Sequence, residues 1–240
     1  MITLEQLGKK RILAVSDIHG QCDRFSTLLD TIKYNPVEDQ LIILGDLVDR
    51  GEQNFDTLCM AAYLQSEGAI IIKGNHDELC EGTIVELLND KTGILTENHV
   101  ECGGPNTFNE LKTLSKKELI QLYCFLHNLP LYYEIDNYIF VHAGVNGNLP
   151  LELNSSKTFL WARNEFIYTP AYDDKIVVFG HTVTYTLPHL TPENGKIYWK
   201  DINVWFDDIN NGDKIGIDCG GVFGGKQACL ELPSKKVFYV

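Results

Sequence analysis

Three short segments of this chain crowd carboxylate, imidazole and amide side chains together: Ser16-Asp17-Ile18-His19-Gly20, Gly45-Asp46-Leu47-Val48-Asp49-Arg50-Gly51 and Gly74-Asn75-His76-Asp77. Two later segments set an imidazole beside glycine, Val141-His142-Ala143-Gly144 and Gly180-His181-Thr182. Taken singly, each has a plain explanation. An Asp after a strand is usually a turn or a helix cap, and a lone His beside an apolar strand is usually a satisfied core residue. Together the five hold four of the seven histidines. Charged and imidazole groups gathered at one place stay unsatisfied or repel unless a counter-ion joins them. A pair of divalent metal ions resolves that conflict. His99 and His127 lie outside the clusters and His189 follows a proline, so all three are expected to be ordinary structural residues.

The elements around these segments can bring them together. Arg11 to Ser16, Leu41 to Leu44 and Ala69 to Ile72 read as short buried strands. Between them Phe25, Leu28, Leu29 and Ile32 form one helical stripe, and Phe55, Leu58, Cys59 and Ala62 a second. A further helix is expected near Ile84 to Leu88. This β-α-β-α-β order predicts parallel strands with helical crossovers. Asp17 and Asp46 are 29 residues apart, and so are Asp46 and Asn75, about the length of one crossover unit. The three segments thus fall at the same end of neighbouring parallel strands, where open α/β sheets bind their ligands.

Further along, Thr92 to Gly104 reads as an irregular loop. Ser115 with Glu118 forms a capping box ahead of Leu119, Leu122 and Leu126. Leu131 to Ile135 and Tyr138 to His142 read as a hairpin turning at Asp136-Asn137. More strands are expected at Ile176 to Phe179, Ile197 to Trp199, Ile215 to Asp218, Ala228 to Leu232 and Val237 to Val240. The second half should supply mainly antiparallel strands, and two sheets packed face to face between helical layers is one arrangement that fits. No repeat or linker-like tract divides residues 1–240, so one domain is the expectation.

Composition narrows the classes. The net charge is −13 and the pI about 4.9, which disfavours nucleic acid or an anionic membrane as the main partner. The longest apolar run, Leu58 to Leu64, has seven residues, far short of a membrane span. Nothing at the N-terminus reads as a signal peptide. Seven cysteines with no Cys-x-x-Cys pair predict reduced, mostly buried thiols in a cytoplasmic protein and no zinc-thiolate site.

The five segments resemble, in order, the motifs of the phosphoprotein phosphatase branch of the calcineurin-like metallophosphoesterases, the compact bacterial and phage type above all. The likeness runs from about Asp17 to about Gly225. Ser16 stands where many members have glycine. The resemblance implies a four-layer α/β/β/α sandwich with mixed sheets, a helical insertion and a centre of two divalent metals. By motif, one metal takes Asp17, His19 and Asp46, and the other Asp46, Asn75, His142 and His181. Such ligands suit Mn²⁺, Fe or Zn²⁺, with Mn²⁺ the usual metal of assays. The two ions would hold a hydroxide that attacks phosphorus in line. His76 would be the general acid, with Asp49 holding its tautomer. Arg50 and Arg163, the latter in Trp161-Ala162-Arg163, would grip phosphoryl oxygens.

Substrate class follows from finer detail. Phosphodiesterases of the wider superfamily usually carry a second His where Val183 stands. The symmetrical dinucleoside tetraphosphatases, which the chain also resembles, typically have Ala at the position of Asp49. An alkoxide leaving group needs a supported acid more than a nucleotide does. The expectation is therefore a serine/threonine protein phosphatase acting on a phosphoprotein, with hydrolysis of dinucleoside polyphosphates as the alternative. A scaffold without catalysis is disfavoured by the complete ligand set. The region from Thr83 to Leu126 is expected to border the site.

Overall fold

The structure, a computed structural model, describes residues 2–188, 198–208 and 212–240. The chain begins with β1 (Arg11–Val15), α1 (Cys22–Ile32), β2 (Asp39–Ile43), α2 (Asn54–Ser66), β3 (Ile70–Ile71) and α3 (Asn75–Leu88). β1 pairs with β2 and β2 with β3, both parallel, as the crossover pattern predicts. Three further helices follow, α4 (Ile94–Glu101), α5 (Pro105–Leu111) and α6 (Lys116–His127). Then come β4 (Tyr132–Ile135) and β5 (Tyr138–Val141), α7 (Ser156–Trp161), α8 (Asn164–Ile167), β6 (Ile176–Phe179), β7 (Trp205–Phe206), β8 (Lys214–Gly216), β9 (Ala228–Leu232) and β10 (Lys236–Tyr239).

Among the described residues two five-stranded sheets result, in the orders β10-β9-β1-β2-β3 and β4-β5-β6-β8-β7. Side-chain alternation along each strand assigns its faces. On β1, Leu13 and Val15 turn toward the helices and pack with Phe25, Leu28, Leu58 and Ile84. Ile12 and Ala14 turn the other way and meet Phe140, Val178 and Ile215 of the second sheet. On that sheet, Ile139, Val141, Val177 and Phe179 point outward onto Phe159 of α7 and Phe166 of α8. The layers are therefore helix, sheet, sheet, helix, the sandwich the sequence motifs imply. The alternation is what makes both faces of each sheet apolar, so neither sheet can stand without its cover.

Several expectations hold closely. The α1 stripe Phe25, Leu28, Leu29 and Ile32 is buried as read. Ser115 and Glu118 form their capping box, and β4 pairs with β5 in an antiparallel hairpin. Four pairings of second-half strands are antiparallel, but β5 to β6 and β6 to β8 are parallel at the centre of the second sheet.

Others are corrected. The buried face of α2 is Asn54, Thr57, Leu58, Ala61 and Leu64, leaving Cys59 and Ala62 exposed. The helix is apolar on more than one side, so its period misled. All seven cysteines are free, but only Cys80, Cys219 and Cys229 are buried. The helix expected near Ile84 begins at Asn75, so the third motif is a helix start. Thr92 to Gly104 is no loop, since it contains α4. That helix buries only Thr96 and His99, too little apolar stripe to be seen by periodicity. Its cap comes from outside its own sequence: the Glu86 carboxylate accepts the N–H groups of Gly93, Leu95 and Thr96. Trp199 lies in a 3-10 turn, and Ile197 and His189 fall outside the described residues. No helix among the described residues is long and apolar enough to cross a membrane.

Candidate metal centre and active site

The parallel strands β1, β2, β5 and β6 deliver their motifs to one edge of the two sheets. Asp17 and His19 follow β1, Asp46 follows β2, His142 follows β5 and His181 follows β6. Asn75 and His76 form the first turn of α3. Glycine makes the approach possible. A Cβ at Gly45 would strike the backbone of Gly74, and one at Gly74 would strike the backbone nitrogen of Asp46. Asp17, His19, Asp46, Asp49, Arg50 and His181 all have positive φ, six of the ten such non-glycine residues among those described. Each costs about 1–3 kcal/mol, so the surrounding contacts hold these side chains against local preference.

Asp46 is the pivot. Its Oδ2 lies 3.5 Å from Nε2 of His19, and its Oδ1 lies 3.4 Å from Nε2 of His142. Asn75 Oδ1 is 2.9 Å from His142 Nε2 and 2.8 Å from His181 Nδ1. Asp17 Oδ1 stands 4.0 Å from His19 Nε2. The carbonyls fix the rings. His19 Nδ1 is 2.7 Å from Val48 O and His142 Nδ1 is 2.7 Å from Leu44 O. Each Nδ1 must donate there, which leaves the Nε2 lone pair facing the carboxylates. Lone pairs of His142, Asn75 and Asp46 then point at one another, and His181 Nε2 is buried with no partner among the described residues. A cation placed among them satisfies such a set. The donors therefore fit metal ions. Two clusters of convergent ligand atoms stand out among the described residues, His19-Asp46-His76 and Asp46-His142-His181, sharing Asp46.

Electrostatics follows burial and these neighbours. Burial lowers His19 to about 3, aided by Arg50 and His76 against the pull of Asp46. Burial also lowers His181 to about 2, helped by His142 and Arg163. Both rings are thus neutral and able to bind metal. Burial would raise Asp46, but His142, His76 and His19 outweigh it and hold the carboxylate below its usual range. Asp17 is raised by burial and by Asp46, as expected for two carboxylates sharing a site without a cation.

A cavity of about 140 Å³ opens over this cluster, lined by Asp46, Arg50, Asn75, His76, Cys102, Trp161, Arg163 and His181. His76 Nδ1 lies 2.7 Å from Asp49 Oδ2. Burial would lower His76, but Asp46 and the bond to Asp49 raise it. Arg50 donates to His76 Nε2 at 2.8 Å and also touches His19 Nε2. Arg163 bonds Thr182 Oγ1 at 3.2 Å. All ten sequence-derived site residues thus lie in or beside one cavity. Three contributors were missed. Asp77 accepts the N–H groups of Asp46, Leu47 and Gly74. His99 and Thr107 bond Asp49 at 2.8 and 2.5 Å. His99 is therefore not the incidental residue it was expected to be, whereas His127 is a largely exposed partner of Glu81. Only the place of Asp77, three residues into a helix, could have signalled its part.

The profile of the calcineurin-like phosphoesterases matches residues 10–215. The chain belongs to that family. It is a metal-dependent phosphoesterase family built on a two-metal centre, and the convergent carboxylate, amide and imidazole groups described above are of a kind that fits one. The symmetrical bis(5'-nucleosyl)-tetraphosphatase of Methylococcus capsulatus is 31% identical over 134 residues, 56% of this chain and 43% of its own length. The enzyme of the same name from Actinobacillus pleuropneumoniae serotype 3 is 26% identical over 200 residues, 82% of this chain and 64% of its own. The chain spans about half the length of the curated relatives it matches. Among solved structures, one described as a candidate diadenosine tetraphosphatase has a TM-score of 0.69 at 21% identity, covering 96% of this chain and 92% of its own. The cold-active protein-tyrosine phosphatase of a psychrophilic Shewanella has a TM-score of 0.64 at 17% identity, covering 97% and 78%. These two show the fold.

The relatives found by sequence carry the tetraphosphatase name, and this corrects the expectation of a serine/threonine protein phosphatase. That expectation leaned on Asp49 as a sign of a poor leaving group. In this chain Asp49 also bonds His99 and Thr107, so its presence does not report the leaving group.

Proposed function

We propose that this chain hydrolyses dinucleoside polyphosphates, cleaving a diadenosine tetraphosphate symmetrically to two nucleoside diphosphates. The observation that carries the reading is the likeness to symmetrical tetraphosphatases across up to 82% of the chain, on a site whose donors fit metal ions. Asp17, His19 and Asp46 would hold one divalent ion, and Asp46, Asn75, His142 and His181 the other. When bound, two such ions supply the charge that polarises a phosphoryl oxygen and activates water. Mn²⁺ is our choice among Mn²⁺, Fe and Zn²⁺. The seven free thiols favour a reducing cytoplasm.

The remaining steps belong to the side chains. Arg50 and Arg163 supply planar forks for phosphoryl oxygens in a protein whose overall charge repels a polyanion. As Arg50 turns to the substrate it releases His76 Nε2. With Nδ1–H held on Asp49, the freed nitrogen takes up a solvent proton, which Asp46 and Asp49 favour, and is positioned to give it to the leaving oxygen. A leaving nucleoside diphosphate needs this help less than an alkoxide does.

The deciding experiment compares kcat/KM for diadenosine tetraphosphate and a phosphoserine peptide with Mn²⁺, and identifies the nucleotide products by chromatography. Preference for the tetraphosphate with ADP as product supports the proposal. Release of AMP and ATP, or preference for the peptide, refutes it.

A further inference from the structure

His99 lies on α4, 50 residues along the chain from Asp49, and is 0% exposed. Its Nε2 is 2.8 Å from Asp49 Oδ1, and its Nδ1 is 2.8 Å from Thr83 Oγ1. One assignment of a neutral ring satisfies both contacts. Nε2–H donates to the carboxylate, and Nδ1 accepts the Thr83 hydroxyl proton. Thr107, on α5, donates its hydroxyl to the same Oδ1 at 2.5 Å. The other oxygen, Oδ2, takes only His76 among the described contacts, at 2.7 Å. The backbone N–H of Asp49 is held by Asn54 Oδ1 at 2.8 Å. The two oxygens of Asp49 are therefore divided. One is pinned by two buried donors from the inserted helices, and the other serves His76.

This division has a mechanical consequence. A carboxylate on a short side chain can rotate about its terminal torsion, which is broad and two-fold. Asp49 must hold against that rotation from a backbone of positive φ, 78°. His99 and Thr107 remove the freedom, and α4 and α5 bring them there. The turn joining those helices closes over His99, because a Cβ at Gly104 would strike its ring. The Gly103 carbonyl accepts the N–H of Arg50 at 2.9 Å. The inserted helices thus touch the dyad and its neighbouring arginine through separate bonds.

We propose that His99 is a positioning residue for proton delivery: with Thr107 it fixes Asp49 Oδ1, so that Oδ2 stays aimed at His76 Nδ1. The proposal rests on His76 being the group that protonates the leaving oxygen. It does not depend on which phosphoester is the natural substrate.

The test uses the full chain loaded with Mn²⁺, with phenyl phosphate and p-nitrophenyl phosphate as substrates of poor and good leaving groups. His99→Leu should lower kcat on phenyl phosphate by about 10- to 100-fold, less than loss of the acid itself. It should lower kcat on p-nitrophenyl phosphate by no more than about 3-fold, since that leaving group needs little protonation. His99→Gln, whose amide nitrogen can stand near the lost Nε2, should recover most of the difference. In a His76→Asn background His99→Leu should cost nothing further, as for residues acting as a unit. Far-UV circular dichroism checks folding, and Thr107→Val repeats the test if His99→Leu does not fold.

A readout free of turnover separates this inference from the functional one. Nitrogen-15 NMR of histidine side chains in the metal-free chain, at a pH high enough for the His76 ring to be neutral, should show His76 in a single Nδ1–H tautomer, and a mixture in His99→Leu. A wild-type chain inert toward every phosphoester sinks the functional reading and leaves the NMR result to decide on His99. Equal losses on both phenyl esters, no recovery in His99→Gln, or an unchanged His76 tautomer overturns the positioning role.

Discussion

The carboxylate of Asp77 accepts the backbone N–H of Asp46 at 3.0 Å, with a second bond of the same length to Leu47. It thereby joins the strand-end turn after β2 to the first turn of α3, where it also takes the N–H of Gly74 at 2.8 Å. Asp46 sits at positive φ, 54°, a conformation that needs such support. The second and third motifs are accordingly one structural unit.

Asp77→Asn should therefore destabilise the fold. An amide presents one acceptor and one donor, so at least one buried N–H loses its partner, at a cost of about 1–3 kcal/mol. Urea denaturation should show a lower midpoint with an unchanged slope. A midpoint equal to wild type would show that the turn holds itself.

Asp46→Asn should lose activity and metal together. Both Asp46 oxygens face imidazoles of different clusters, and an amide nitrogen cannot replace the second oxygen as a ligand. Elemental analysis of the purified variant should give clearly less than two equivalents of metal. Two full equivalents would remove Asp46 from the bridging place.

His76→Asn should retain metal and lower kcat by roughly 10²–10⁴ on phenyl phosphate, the range for a general acid. The loss should be much smaller on p-nitrophenyl phosphate, and intermediate on diadenosine tetraphosphate. Equal losses on all three would deny His76 the role of proton donor.

Local spacing made much of this molecule legible. The 29-residue intervals place Asp17, Asp46 and Asn75 at one sheet edge, and β1, β2 and β3 are parallel as that requires. The α1 stripe reads cleanly because its apolar residues share one face. What was not legible depends on contacts between distant residues. His99 meets Asp49 only after α4 and α5 fold back, and no interval in the sequence encodes that approach. The α4 helix itself escaped notice because its cap, Glu86, belongs to the preceding helix. The bonds of Asp49 to His99 and Thr107 are equally invisible to local spacing, and they are why its presence misled about the leaving group.

The same distant cap gives a pH test. The Glu86 carboxylate is held down to about 2 from an ordinary 4.5, first by the Thr96 hydroxyl and then, against burial, by the N–H groups of Thr96, Gly93 and Leu95. A negative charge at a helix start also suits the helix dipole. A carboxylate depressed by folding stabilises the fold fully above its unfolded value, and that contribution is lost as pH falls through its folded value. The window is therefore from about 4.5 down to about 2. Glu86→Gln keeps a carbonyl acceptor but no charge, so it should lower the urea midpoint at pH 7 and by a similar amount at pH 5.5. The gap between wild type and variant should shrink as pH falls from 4.5 toward 2, because the wild-type side chain becomes protonated and loses the same advantage. Hydrogen exchange should show faster opening of α4 in the variant at pH 7, with β1 and β2 unaffected. A gap that stays constant down to pH 3, or widens, would show that Glu86 holds α4 by shape and not by charge.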